Sequence, residues 1–172
     1  MQTDEALVAR VADGDEPALR ELLRRYDRPL ASFLYRRTGG RDVEDLYQET
    51  WLRVVRSAQR FDQRRRFSTW LFQIAVNLCR DWHRRPPPEP RPVADEPSAA
   101  TLERSEAALD AAQLLARLPD AQREVIVLRY YHDLSEDETA AILDIPKGTV
   151  KSRLHHAIAR LMELVEEIPT AS

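Results

Sequence analysis

Apolar residues recur along this chain at helical rather than strand spacing. In DVEDLYQETWLRVVR (42–56), Val43, Leu46, Tyr47, Thr50 and Val54 fall on one side of a helix. Asp45, Gln48, Glu49, Leu52 and Arg56 fall on the other side. In FSTWLFQIAVNLCRDWHRR (67–85), Phe67, Leu71, Ile74, Leu78 and Trp82 form an inward stripe. A second row, Gln73, Asn77, Arg80 and Arg84, follows i, i+4, i+7, i+11 spacing. TAAILDIPKGTVKSRLHHAIARL (139–161) reads as a short helix, a tight turn and a longer helix. In that longer helix Val150, Leu154, Ala157, Ile158, Leu161 and Val165 face inward. No run alternates with period two, so the expected class is all-α.

Caps and breakers divide the pattern. Thr3 is placed to cap a first helix. Glu16 and Pro17 open a second, which runs to about Arg37 before Thr38–Gly40 breaks it. Asp42 is expected to cap a third helix ending near Ala58. RFDQRRRF (60–67) is a loop, and Ser68 or Thr69 opens a fourth helix to about His83. Later helices are expected at 102–117, 120–131, 136–143 and 147–166, with Pro119 and Pro146 at the breaks. Six of the eleven prolines lie between Arg84 and Pro97. Proline removes N–H donors and fixes φ, so this segment is an extended linker. The expected organisation is two small helical domains, 1–85 and 102–168, joined by a Pro-rich linker, 86–101.

Composition narrows the function classes. No apolar run approaches the length that spans a bilayer, and the acidic N-terminus lacks a signal-peptide core, so a cytoplasmic protein without membrane insertion is expected. Cys79 is alone and histidines are sparse, so no disulfide framework, metal site or cofactor is expected. Paired catalytic acids with a nucleophile or a phosphate loop are also missing, so no enzyme is expected. The net charge of −3 hides an asymmetry: residues 1–85 carry an excess of four basic groups, residues 86–172 an excess of seven acidic ones. Within that acidic half, Lys147–Met162 contains no Asp or Glu, which makes the stretch informative.

Three surfaces then carry candidate chemistry. Opposite its apolar stripe, the last helix shows Ser152, His155, His156 and Ala159, flanked by Lys151 and Arg153. Lys and Arg neutralise phosphates, and Ser and His meet base edges. Pattern alone favours DNA binding but also permits a helical hairpin with a solvated polar face. Leu52 interrupts the polar face of the third helix, as a partner surface would, although single exposed leucines are ordinary. Three consecutive arginines lie between Phe61 and Phe67, a composition suited to single strands and to a solvated loop alike.

Leu118–Leu161, with its Leu118-Pro119 opening, LRYY, LSEDETA and GTVKSRL segments, resembles region 4 of bacterial sigma factors, and more narrowly the extracytoplasmic-function (ECF) group. Two positions depart from that pattern: Asp144 stands where Gly is usual, and Thr139 where Ile is usual. The stretch 42–56 resembles region 2.2 of the same family, and 61–85 resembles regions 2.3 and 2.4. As a whole the resemblance covers roughly Leu7–Arg85 and Leu118–Leu161, about 70% of the chain.

The resemblance implies a sigma factor that binds core RNA polymerase through its β′ and β subunits, opens promoter DNA and starts transcription. Asp45, Gln48, Glu49 and Leu52 would contact a coiled coil of β′. Phe61, Arg64, Arg65, Arg66, Phe67 and Ser68 would form a loop that captures a base flipped from the minus-ten element. Asn77, Arg80 and Arg84 would read the upstream edge of that element, with Trp70 either at the melting fork or, the better reading, in the core. Thr149, Lys151, Ser152, Arg153, His155 and His156 would enter the minus-thirty-five major groove. The linker, with Glu89, Asp95 and Glu96, would follow the RNA-exit path. A separate anti-sigma factor is the expected inhibitor, and the cytoplasmic protein would join the nucleoid as part of holoenzyme. Two other classes remain: a dimeric helix-turn-helix regulator independent of core polymerase, and a helical adaptor without promoter activity.

Overall fold

The computed structural model describes residues 2–86 and 106–167. The first domain contains α1 (Asp4–Ala12), α2 (Glu16–Thr38), α3 (Val43–Ser57), a 3-10 turn (Ala58–Arg60) and α4 (Phe67–Arg84). The second contains α5 (Glu106–Ala116), α6 (Asp120–Ile126), a π turn (Val127–Tyr131), α7 (Glu136–Leu143) and α8 (Lys147–Glu166). The described residues include no strand. Most of the Pro-rich linker, with Glu89, Asp95 and Glu96, and the expected start of α5 at 102 lie outside the described residues.

Helix starts follow local chemistry with two corrections. Thr3 Oγ1 accepts the Ala6 N–H at 3.2 Å, as expected of a cap. Asp15 Oδ1 does the same for Ala18 at 3.0 Å, with Pro17 in the first turn, and Gly39 ends α2 in the left-handed conformation. Asp42 precedes α3 but caps nothing. Its backbone is left-handed (φ 53°), and its carboxylate accepts the Trp82 indole N–H at 2.8 Å. Helix α4 begins at Phe67 rather than at Ser68 or Thr69. The Phe67 N–H donates to Glu5 Oε1 of α1 at 2.9 Å, so the cap comes from another helix and has no local signature.

The first core gathers Leu7, Val8, Leu22, Leu30, Phe67 and Leu71, each at most 2% exposed. Each such side chain contributes roughly 1.5–3 kcal/mol on leaving water. The second core gathers Val125, Leu128, Leu143, Val150, Ala157 and Leu164. Here the expected stripe of α8 is corrected: Leu164 is buried, whereas Ile158 and Val165 are exposed. The helix packs inward along Val150, Ala157 and Leu164, and its next row forms the lip of an open groove.

The two domains are not held by a linker alone. Phe33 of α2 and Phe72 of α4 meet the ring of His132, just after the π turn, with centroids 5.8 and 5.2 Å apart. Phe72, Val76 and Cys79, on the α4 face away from the Leu71–Leu78 stripe, are buried. Below them Arg37, with no exposed surface, reaches Asp120 and Glu124 of α6.

Candidate promoter and polymerase surfaces

Helix α3 turns Leu46, Thr50, Trp51 and Val54 inward and leaves Asp45, Gln48 and Leu52 exposed. Leu52 is 47% exposed. Glu49 is half-buried, its carboxylate accepting from Arg53 Nε at 3.1 Å. Val55, overlooked in the sequence, is 43% exposed and extends the apolar patch of Leu52. Tyr47 fixes the helix from its inner side by donating its hydroxyl to Asp27 at 2.9 Å. A rigid polar helix face with an apolar centre suits a protein partner.

The arginine loop is organised by Asp62. Its Oδ1 accepts the Arg64 N–H at 3.0 Å and Arg64 Nε at 3.2 Å. The Arg64 backbone and side-chain donors hold this carboxyl below its ordinary pKa. The Arg64 side chain itself is nearly all in solvent. Phe61 is half-buried and tilted against Trp70 at 4.8 Å between centroids. Phe67 is corrected: it has no exposed surface and sits edge-on to Tyr26 at 5.2 Å, so it is a core residue and offers no face to a base. Ser68 is half-buried. Arg65 donates to Gln73 Oε1 at 2.6 Å, joining the loop to α4.

The expected row on α4 divides. Asn77 and Arg84 are exposed, Arg84 lying 3.4 Å from Asp81. Arg80 is half-buried instead, and its guanidinium forks onto both oxygens of Glu124 at 2.9 and 3.1 Å. That hydrogen bonding raises its pKa further, so the cation is permanent. Gln73 Nε2 donates to the Ala141 carbonyl at 2.6 Å, and Arg66 pairs with Glu138. The second domain therefore lies against this row.

Helix α8 is displayed differently. Lys151, Ser152, His155 and His156 are exposed, and Thr149 and Arg153 are half-buried. Ser152 donates to the Thr149 carbonyl at 3.2 Å. Helix α7 braces α8 and opens with a capping box: Ser135 Oγ accepts the Glu138 N–H at 3.1 Å, and Glu138 accepts the Ser135 N–H at 2.8 Å. Its other acidic residues hold the basic ones, with Lys147 to Asp137 at 3.1 Å and Lys151 to Glu136 at 3.8 Å. These exposed pairs are easily exchanged for phosphates. Asp144 makes the left-handed turn between the helices at φ 54°.

Two features escaped the sequence reading. One is an apolar groove between α5, the π turn and α8, lined by Leu115, Ile126, Tyr130, Ile158, Met162 and Val165. Met162 is 62% exposed and Tyr130 63% exposed, so none of the described residues fills it. The other is the seam itself. Its readable traces were the second apolar row Phe72, Val76 and Cys79, and the carboxylates of Asp120 and Glu124 four residues apart.

Family models match the two halves separately: "Sigma-70 region 2" over residues 22–86 and "Sigma-70, region 4" over 108–161. The ECF RNA polymerase sigma factor SigW of Bacillus subtilis is 32% identical, with 94% of this chain and 96% of that protein covered. The chain belongs to the ECF RNA polymerase sigma factors. The ECF sigma-E factor of Haemophilus influenzae is 34% identical over 90% of this chain and 91% of its own length. Among solved structures, CnrH in complex with the cytosolic domain of CnrY is 29% identical, with a TM-score of 0.75 over 98% of this chain and 100% of CnrH. A match of that breadth requires both domains to be similarly placed. The sigma factor thus serves promoter recognition and transcription initiation by RNA polymerase, and its family is not one of enzymes. A regulator built on a helix-turn-helix alone does not account for the region 2 match. No helix among the described residues is long and apolar enough to cross a membrane.

Proposed function

We propose that this sigma factor divides its work among three surfaces. The α3 face of Asp45, Gln48, Glu49 and Leu52, extended by Val55, binds the β′ subunit of core polymerase. The loop from Phe61 to Ser68 holds a base drawn from the minus-ten element, with Trp70 behind Phe61 and with Arg64, Arg65 and Arg66 on the backbone. Phe67 serves this loop as its anchor in the core. Asn77, Arg80 and Arg84 take the upstream edge of the element, guanidinium groups on phosphates and the amide on a base edge. Thr149, Lys151, Ser152, Arg153, His155 and His156 enter the minus-thirty-five major groove. The protein acts in the cytoplasm, on the nucleoid when in holoenzyme. A separate anti-sigma factor restrains it, a reading supported by the likeness to CnrH, solved with the cytosolic domain of CnrY.

The observation that carries this reading is the display of α8. Its acid-free outer face is exposed, while Val150, Ala157 and Leu164 anchor the inner one without exposed surface. Core polymerase co-elution and promoter-dependent transcription test it. Leu52→Asp places a charge at the centre of the α3 patch and is expected to abolish co-elution. Lys151→Ala/Arg153→Ala is expected to leave co-elution intact, to cut transcription, and to lower the salt slope of duplex binding by about 2. Full transcription by both variants would sink the surface assignments.

A further inference from the structure

The seam between the domains is built on charge as well as apolar contact. Arg37 donates to both Asp120 carboxylate oxygens, at 2.8 and 3.2 Å, and to Glu124 Oε1 at 3.1 Å. Arg80 grips the same Glu124 from α4, through Nε and Nη2. His83 Nε2 lies 3.1 Å from the Arg37 carbonyl oxygen and 3.3 Å from Asp120 Oδ1. Two guanidinium groups thus bind two carboxylates, and the charge of Arg123 acts on Asp120 from nearby. The Phe33–His132–Phe72 contact, the Gln73–Ala141 hydrogen bond and the Arg66–Glu138 pair belong to the same seam.

Arg80, like Arg66, belongs to both this seam and the minus-ten surface. An arginine fork matches carboxylate and phosphate oxygens with the same geometry, so the guanidinium of Arg80 cannot hold both. We propose that region 4 latches onto region 2 in the free sigma factor and masks the minus-ten surface, with Glu124 occupying the fork of Arg80 that DNA phosphate takes once the latch opens. The proposal rests on the assignment of Arg80 to minus-ten DNA made above. The mask is selective. It engages Arg66, Gln73 and Arg80, whereas Leu52 and Val55 on α3 and the outer face of α8 remain exposed. Polymerase therefore finds its own surface open on the latched chain. The latch in turn limits unproductive contact of region 2 with single strands before polymerase arrives.

Cys79 reports on the seam. It is the chain's single cysteine, fully buried two turns beyond Phe72 on the same face of α4. Burial pushes its thiol up to about 12, with the Arg37 charge opposing and the carboxylates of Asp120 and Glu124 assisting. Asp120→Asn/Glu124→Gln removes the carboxylates and leaves both arginines. In the full chain this variant is expected to raise the rate of Cys79 with Ellman's reagent about tenfold. Its helix content by circular dichroism should not change, and its radius of gyration should grow. It is also expected to bind a labelled mixed-sequence single strand about fivefold more tightly than Asp110→Asn/Glu163→Gln, which makes the same charge change away from the seam. Equal thiol rates in variant and wild type overturn the latch. Faster labelling with no gain in single-strand affinity over the control overturns the mask. Should the variant lose helix content, wild-type Cys79 decides. Its labelling, read by mass spectrometry, is expected to accelerate about tenfold when core polymerase is saturating, and unchanged protection in the bound chain overturns the proposal. Failure of the chain to co-elute with polymerase at all would instead strike the functional assignment.

Discussion

Helices α4 and α8 are the two assigned to promoter DNA, and they differ in what lies against their polar sides. On α8 the outward row meets solvent, and only exposed pairs from α7 touch its lysines. On α4 the row meets the second domain, and Arg80 is neutralised by a carboxylate that is 2% exposed. Both helices carry an apolar stripe with polar groups opposite, so their sequence patterns look alike. The difference arises from partners more than forty residues away along the chain, and it decides which surface is ready for DNA and which must first be released.

Arg37→Ala is the severest way to break that contrast. It leaves Asp120 and Glu124 at the seam without their central cation. Removing one partner of a buried ion pair costs about 3–5 kcal/mol, because the charge left behind has lost its compensation. Arg80 retains its hold on Glu124, which places the effect at the lower end. Urea unfolding followed by Trp fluorescence and by helicity is expected to separate into two transitions, with the α8 surface still binding duplex DNA. A single unshifted transition would show that the domains do not depend on the cluster.

Acidification should loosen the same seam by a smaller amount. His132 lies between Phe33 and Phe72 with Nε2 unpartnered, and Arg36 is the charged group nearby. Burial first, then the Arg36 charge, lower its pKa from 6.5 to about 4. His83 is lowered as well, chiefly by burial, with Asp120 opposing and Arg37 and Arg123 assisting. The closed form therefore binds fewer protons than the open one. Its stability is complete above pH 6.5 and is lost progressively as pH falls toward 4. For His132 the loss reaches about 2 kcal/mol at pH 5. For Asp120, burial raises the pKa, but the Arg37 hydrogen bond and charge outweigh it and hold the carboxyl below its ordinary value, so it titrates only beneath this window. Small-angle scattering between pH 7.5 and 4.5 is expected to show an expansion that His132→Leu largely removes. A pH-independent radius in the wild type would refute the coupling.

How much of this was legible in the sequence follows the range of the forces involved. The 3.6-residue period, the cap of Thr3 and the turn at Asp144 act within a few residues, and the all-α fold and recognition helix were readable from them. The cap of α4 was not, because Glu5 supplies it from 62 positions away. Phe67 stood beside three arginines and looked like part of their loop. Its burial depends on Tyr26, Trp51 and Trp70 closing round it, which no local spacing reveals. Arg80 kept its place on the polar row, but its partner comes from the other domain. The exposed lip of α8 was misread because helical periodicity tells which residues share a side, and leaves open where the neighbouring helix ends.

The smallest effects belong to the α7–α8 hairpin, where the two departures from the family pattern sit. Thr139 is fully buried and its hydroxyl has no hydrogen-bond partner. An unpaired buried hydroxyl costs about 1–3 kcal/mol, and Thr139→Val keeps the shape while removing it. The expected gain is about 1 kcal/mol. Asp144 holds φ 54° at the helix C-cap, where a side chain adds strain that glycine avoids. Asp144→Gly is expected to add about 0.5–1 kcal/mol at this left-handed position, partly offset by the greater freedom of glycine in the unfolded chain. Thermal unfolding of each variant measures both gains. Because Thr139 reaches neither the outer face of α8 nor the charge cluster, Cys79 labelling and duplex binding of Thr139→Val should stay at wild-type values, whereas the Asp144 charge is felt by Arg80. A change in either would mean that the hairpin and the seam are mechanically coupled, and that the open surface of α8 is not independent of the covered one on α4.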